Sequence, residues 1–321
     1  MMNNLLEVIN IKKYFPAQGG LIAQRGNPVK AVDGVSITLV QEETLGLVGE
    51  SGCGKTTLGR VILRLIEPTE GEILFERKNI LDLSKKELRG LRKNMQIIFQ
   101  DPYGSLNPRM KAESIIEEPL KIHDHMSTKE RRQRVSDLLE MVGLRAQDAE
   151  RYPHEISGGQ RQRIGIARAI SLHPKLIVAD EPVSALDVSI QGQIINLLID
   201  LREKFHLTYL FISHDLHLVH HFSDRIAVMY LGRIVEMSDC ETLYNKPLHP
   251  YTKALLAAVP IPDPETKKIR LAVSGDVPDP SKPPAGCHFH PRCPYVMPIC
   301  KEKYPSLEMK ESGHDVACFL Y

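Results

Sequence analysis

Gly49-Glu50-Ser51-Gly52-Cys53-Gly54-Lys55-Thr56 is the stretch that decides the fold of this chain. It matches G-x-x-x-x-G-K-S/T, a loop whose backbone N–H groups turn inward around phosphate oxygens. Its setting supports the match. Leu45-Gly-Leu-Val48 before it has the apolar character of a short buried strand, and residues 56–66 after it have helical spacing. The glycines let the backbone wrap, and the helix N-terminus adds its positive end. Lys55 is expected to reach the β- and γ-phosphates and the Thr56 hydroxyl to bind Mg2+. Outside this setting the same letters would be only a glycine-rich turn. Cys53 fills a variable position, where its N–H matters more than its thiol. Lys55 and the helix start are nevertheless expected to favour its thiolate.

Two further stretches take their meaning from that loop. Leu176-Ile-Val-Ala179 ends in Asp180-Glu181, placing a carboxylate at a strand end, where a P-loop enzyme holds Mg2+. Glu181, one residue on, is a candidate general base for the attacking water. Ile156-Ser157-Gly158-Gly159-Gln160 precedes a helical run through Ile164, Ala167 and Ile170, and so makes a second anion site at a helix start. Taken singly, an acidic strand end or a Ser-Gly-Gly helix start would be unremarkable.

Strand-like and helical runs alternate up to about residue 240, which predicts an α/β domain. Residues 5–11, 35–40, 96–99, 209–212 and 226–230 have strand character, with Asp33-Gly34 as a turn between the first two. Residues 105–170 turn helical: Ser127-Thr-Lys-Glu130 fits a capping box, with Val135, Leu138, Leu139 and Val142 on one face of the helix it starts. Lys+Arg total 41 against Asp+Glu 40, a balance that offers no broad positive field and excludes nucleic acid as the main partner. No signal-peptide pattern and no membrane-length apolar run is present. Work at a membrane is therefore expected from the cytoplasmic side, through other chains.

The first 260 or so residues resemble the ABC ATPases, with the order and spacing of all these motifs carrying the resemblance. Ile156-Ser-Gly-Gly-Gln160 resembles the family signature, Asp180-Glu181 its Walker B pair and Ser184-Ala-Leu-Asp187 its D-loop. Gln100 resembles the Q-loop glutamine and His214 the switch histidine. Phe15 stands where the family stacks an aromatic ring on adenine, with Tyr14 the alternative. The resemblance implies a cassette with a RecA-like core, an antiparallel β subdomain and a helical insertion. It implies ATP held by Phe15, residues 49–57 (including Thr57, beside Thr56) and Gln100, Mg2+ at Thr56, Gln100 and Asp180, and catalysis by Glu181 and His214. Ser157, Gly158, Gly159 and Gln160 would close over ATP on a second cassette, identical or homologous.

Gln100-Asp-Pro-Tyr-Gly-Ser-Leu-Asn-Pro108, Leu248-His-Pro-Tyr-Thr252 and Gly286-Cys-His-Phe-His-Pro-Arg-Cys-Pro294 resemble the dipeptide and oligopeptide import branch, whose members also carry nickel and other small solutes. The partners implied are a second ATPase subunit, two transmembrane permease subunits and an extracytoplasmic peptide-binding protein, with the chain peripheral on the cytoplasmic face. A soluble, non-transport ABC ATPase is the competing class. It commonly carries two cassettes or a long coiled coil, and neither is present.

Residues 1–259 are expected to form the nucleotide-binding domain. Residues 260–321 hold 11 of the 22 prolines, including the stiff-looking Pro278-Asp-Pro-Ser-Lys-Pro-Pro284, and four of the six cysteines. Cys287, Cys293, Cys300 and Cys318 are separated by 5, 6 and 17 residues. So short and apolar-poor a segment is expected to need a metal staple. Closely paired zinc ligands are absent, and four irregularly spaced thiols suit a four-iron, four-sulfur cluster. Zinc is the alternative, and His288, His290 and His314 leave mixed ligation open.

Overall fold

β1 (Asn4–Phe15) and β2 (Val29–Val40) open a computed structural model that describes residues 4–16, 27–258 and 275–321. Period-two burial explains β2, with Val35, Ile37 and Leu39 inward, while β1 buries Leu5, Leu6, Val8 and Ile11 and its register shifts between Ile9 and Lys12. The elements then run β3 (Thr44–Val48), α1 (Lys55–Ile62), β4 (Glu70–Phe75), β5 (Lys78–Asn79), α2 (Lys85–Leu91), β6 (Met95–Ile98), α3 (Ala112–His123), α4 (Thr128–Met141) and α5 (Gly158–Ile170). β7 (Leu176–Asp180), α6 (Val188–Phe205), β8 (Thr208–Ile212), α7 (Leu216–Phe222), β9 (Arg225–Tyr230) and β10 (Arg233–Asp239) follow. The chain closes with α8 (Cys240–Asn245), α9 (Pro250–Ala258), α10 (Pro298–Glu302), β11 (Glu308–Glu311) and β12 (His314–Val316).

Two units result. One comprises Val40–Glu43 and Asp82–Ile212, built on the parallel strands β6, β7 and β8, with Met95 opposite Leu176 and Leu176 opposite Thr208. Every residue of β7 is buried, as expected of a parallel strand covered on both faces. The helical stretch expected from the sequence is α3, α4 and α5. Ser127 caps α4 in the predicted capping box, and Val135, Leu138, Leu139 and Val142 are buried. On α5, Ile164, Ala167 and Ile170 face inward.

The other unit comprises Asn4–Leu39, Thr44–Leu81 and Ser213–Tyr321. It holds an antiparallel sheet in the order β2-β1-β4-β5, and strands in the order β11-β12-β10-β9-β3. β3 and β9 run parallel, with Leu45 opposite Arg225, which leaves the C-terminal end of β3 free to feed the phosphate loop.

Three local expectations change. Asp33-Gly34 is no turn: both residues lie inside β2, where Gly34 takes φ +82 and the Asp33 N–H donates to the Gly232 carbonyl. The helix after the loop stops at Ile62, short of residue 66, because the chain reverses at Arg64 with φ +48. The cysteine-bearing tail, expected to lack a core of its own, borrows one. Phe289 is buried against Tyr230 and Tyr251, and β12 pairs with β10, Val316 opposite Glu236. The Lys30 N–H donates to the Pro280 carbonyl, so the proline run is fastened to the start of β2. The first part of the proline-rich connector, residues 260–274, lies outside the described residues. No helix among the described residues is long and apolar enough to cross a membrane.

Candidate functional site

Two glycines of the loop are obligatory. Gly49 takes φ +153, and a Cβ there would stand 2.2 Å from the Met229 carbonyl oxygen. Gly54 takes φ +110, and its Cβ would meet the Ala31 carbonyl oxygen at 2.0 Å. Both strain and space exclude a side chain. Ser51 and Gly52 are exposed at the loop's crown, and Thr56 and Thr57 are half-buried in the first turn of α1. The Lys55 side chain is buried, its ammonium donating to the carbonyls of Gly49 (2.7 Å) and Glu50 (3.0 Å). This places the cation inside the loop.

Cys53 corrects an expectation. Its thiol is buried, and burial pushes its pKa up even though Lys55 Nζ lies 3.7 Å from Sγ and pulls the other way. Desolvation of the thiolate outweighs the neighbouring charge.

At the end of β1, Phe15 is half-buried with Lys13 Nζ 5.0 Å from its ring centre. The adjacent Tyr14 is committed elsewhere: its hydroxyl donates to Asp33 Oδ1. Burial and that bond raise the Tyr14 pKa. Burial would raise Asp33 too, but Tyr14 and Arg233 hold its carboxylate below the usual range. Of the two rings, Tyr14 is the one tied to Asp33. His214 is exposed, following Ser213, whose N–H donates to the Leu47 carbonyl in the strand that feeds the loop.

In the other unit, Asp180 ends β7 at 2 % exposure, and Glu181 follows with φ +46. A left-handed backbone at a non-glycine residue costs about 1–2 kcal/mol and clusters at functional positions. The turn aims the Glu181 carboxylate at Gln100, whose Nε2 donates to Oε2 at 2.9 Å.

Ser157 caps α5. Its Oγ accepts from the Gln160 N–H at 3.3 Å, and Gln160 Oε1 accepts from the Ser157 N–H at 3.0 Å. Gln160 thus spends its side chain on the cap. Ser157 and Gly158 remain exposed, while Ile156 is buried behind them. The turn at Ser184 folds back on Glu181, with the Ser184 Oγ donating to its carbonyl, and Val188 at the start of α6 is 83 % exposed.

Cys287, Cys293, Cys300 and Cys318 line one small pocket. The Cys287 N–H donates to the Cys300 carbonyl, a close pass that Gly286 permits, since a Cβ there would lie 2.4 Å from that same carbonyl oxygen. Burial, with the other three thiols adding, pushes Cys287 up to about 11. Cys300 is buried and the other three cysteines are half-buried, so thiolates gathered here would need a positive centre to offset their charge. Thiols are the donor type that an iron–sulfur cluster takes. Among the described residues no group of three or more His, Cys, Asp or Glu side chains is placed to hold a metal ion, so this arrangement supports neither the expected cluster nor zinc. The mixed ligation left open by the sequence narrows. His314 Nε2 pairs with Glu236, His288 packs edge-on to Tyr304, and neither lines the pocket. His290 does line it, with Nδ1 bonded to the Cys287 carbonyl.

Sequence reasoning missed Arg292, whose guanidinium pairs with Glu50 of the phosphate loop. It also missed Tyr251, whose hydroxyl accepts from the Glu50 N–H at 2.8 Å. Both partners lie more than 200 residues from the loop, beyond any local pattern.

Residues 32–184 match the model of the ABC transporter family, and residues 235–300 match that of the oligopeptide/dipeptide transporter C-terminal region. The chain is 55 % identical over 320 residues to the oligopeptide transport ATP-binding protein AppF of Bacillus subtilis, covering 99 % of this chain and 97 % of that one. It is 51 % identical over 317 residues to the dipeptide transport ATP-binding protein DppF of Haemophilus influenzae, covering 98 % and 96 %. Among solved structures, the dimeric post-hydrolysis state of the ATP-binding cassette MJ0796, bound to ADP and phosphate, superposes with a TM-score of 0.65. It is 31 % identical, covering 73 % of this chain and 98 % of that one. The cbiO1 subunit from Clostridium perfringens, part of the cbiONQ complex, gives 0.64 at 25 % identity, with 76 % and 92 % covered.

Proposed function

The chain belongs to the ABC transporter ATP-binding proteins, in their oligopeptide/dipeptide branch, and from that premise we propose that it is the ATP-hydrolysing subunit of a peptide importer. Full-length similarity to AppF and DppF supports the peptide class. The observation that carries hydrolysis is the Gln100–Glu181 hydrogen bond, which holds the proposed base in place.

In this reading the loop 49–57 binds the triphosphate and Phe15 stacks on adenine. Thr56, Gln100 and Asp180 hold Mg2+, which offsets charge on the β- and γ-phosphates. Glu181 accepts a proton from the attacking water as its oxygen bonds to the γ-phosphorus and the bond to the β–γ bridging oxygen breaks. His214 hydrogen-bonds the γ-phosphate. Exposed Ser157 and Gly158 and half-buried Gly159, with Gln160 setting the cap, meet ATP on a second ATPase subunit. The dimeric state of the MJ0796 cassette supports the pairing of two such subunits. Two permease subunits and an extracytoplasmic peptide-binding protein complete the complex, with this chain peripheral on the cytoplasmic face. Cys287, Cys293, Cys300 and Cys318 would hold a four-iron, four-sulfur cluster, which would supply a positive centre for four thiolates gathered in one pocket.

Reconstitution with its permease subunits in vesicles tests the reading. ATP-dependent uptake of labelled di- or oligopeptides, abolished by Lys55→Ala, is expected. Uptake of nickel but not peptide would replace the substrate class, and a chain inert toward ATP would overturn the whole.

A further inference from the structure

Glu50, the second residue of the phosphate loop, is held on every side. Its N–H donates to Tyr251 Oη, and its carbonyl accepts from Lys55 Nζ at 3.0 Å. Its carboxylate takes two parallel bonds from Arg292, Nη1 to Oε2 at 2.8 Å and Nη2 to Oε1 at 2.9 Å. Arg292 is the neighbour of Cys293, and its side chain is only 10 % exposed. Its guanidinium lies 5.9 Å from the ring centres of Tyr230 and Phe289, and both rings pack on Tyr251. An aromatic socket therefore aims the fork at Glu50.

The pairing is not needed merely to attach the tail. β12 on β10, buried Phe289 and the Glu236–His314 pair already do that. What the fork does is electrostatic. A carboxylate in a loop built to receive a triphosphate repels it, and the repulsion is larger near a low-dielectric interior than in bulk water. A bidentate guanidinium cancels that charge and fixes its direction, which a lysine's single ammonium does less well.

We propose that Arg292 is a positioning residue for ATP binding: it neutralises and orients Glu50, so that the cysteine-bearing segment is coupled to the phosphate loop. This deepens the ATP-binding reading and rests on it.

The test is equilibrium binding of ATP to the full chain, followed by ATPase kinetics in the assembled transporter. Arg292→Met leaves Glu50 bare and is expected to weaken ATP binding roughly tenfold, the scale of removing one charge-assisted hydrogen bond. The KM for ATP should rise by a similar factor while kcat stays within about twofold, since Arg292 is remote from the reacting atoms. Adding Glu50→Gln to Arg292→Met removes the bare charge and should bring affinity back to within about threefold of wild type. A merely structural arginine predicts no such rescue. Should Arg292→Met fail to fold, Arg292→Lys with and without Glu50→Gln decides the matter in the same way. Wild-type affinity in Arg292→Met, or a folded double variant no better than the single one, would overturn the inference alone. A wild-type chain that binds no ATP would overturn the ATP reading and this inference with it.

Discussion

Gln100 and Glu181 meet across 81 residues of sequence, the amide nitrogen donating to the carboxylate at 2.9 Å. Gln100 follows β6 and Glu181 follows β7, and these are adjacent parallel strands with Ile98 opposite Ala179. Strand pairing therefore delivers both side chains to one end of the sheet. Glu181 reaches its place only through a left-handed backbone at φ +46. A strain of about 1–2 kcal/mol is thus tolerated to aim one carboxylate.

Glu181→Gln keeps an acceptor for Gln100 and loses the base. ATP binding should persist while hydrolysis falls by roughly 10²–10⁴-fold, and the ATP-bound dimer should accumulate. Turnover in the assembled transporter measures this, and a rate within a few-fold of wild type would remove Glu181 from the catalytic role.

Ser157→Ala deletes the Oγ that caps α5 and should cost about 1 kcal/mol of stability, read as a lowered melting temperature. Ser157→Arg should leave ATP binding to the isolated chain nearly intact and abolish the hydrolysis that depends on the dimer. A binding loss as severe as that of Lys55→Ala would refute the composite site.

The catalytic motifs were legible because each is local: a glycine loop between strand and helix, an apolar run ending in Asp180-Glu181, a Ser-Gly-Gly helix start. Residues 176–180 matched β7 to the residue, since a fully buried strand has a run of apolar letters and a sharp polar end. Asp33-Gly34 misled because those letters mark turns, while the bond to Gly232 that keeps them in β2 joins distant segments. Cys53 misled because a neighbouring lysine is visible in sequence and burial is not. The tail reads in sequence as needing a metal staple because Tyr230 and Tyr251, which pack on Phe289, carry no mark of that packing. The Arg292–Glu50 pair spans 242 residues and is invisible for the same reason.

Cys53 should therefore resist alkylation. A maleimide at about pH 7.5 is expected to label it at least about tenfold more slowly in the native chain than in the denatured one, because thiolate and access are both scarce. Mass spectrometry of the modified peptide decides. Rapid native labelling, blocked by ATP, would restore a low-pKa thiol.

His249 is fully enclosed and burial lowers its pKa to about 3, while its Nδ1 accepts from the Tyr251 N–H at 3.0 Å. The unfolded chain then binds a proton that the folded one refuses. Stability from this group is complete above the unfolded value near 6.5 and is lost progressively as pH falls from there toward 3. By about pH 5 the loss is about 2 kcal/mol. Buried His288, lowered to about 4, works in the same direction. Melting curves at about pH 7.5 and pH 5 should show the drop, and His249→Asn should flatten it. An unchanged slope would mean that His249 is not neutral in the folded chain.

The tail supplies the last prediction. Chain purified without oxygen should be brown and carry about four irons, held by Cys287, Cys293, Cys300 and Cys318, which share one pocket. The tail's distance from the nucleotide motifs in sequence suggests that losing a ligand would leave ATP binding alone, and the folded geometry reverses that. Cys293 adjoins Arg292, which grips Glu50, and the Cys300 carbonyl ties down Cys287. Cys300→Ser should therefore loosen residues 286–318 to proteases and also weaken ATP binding several-fold, to the extent that Arg292 releases Glu50. Elemental analysis separates the first part: stoichiometric zinc or no metal would sink the cluster. A Cys300→Ser chain that is cut readily in the tail yet binds ATP as wild type does would show that the tail and the phosphate loop are not coupled.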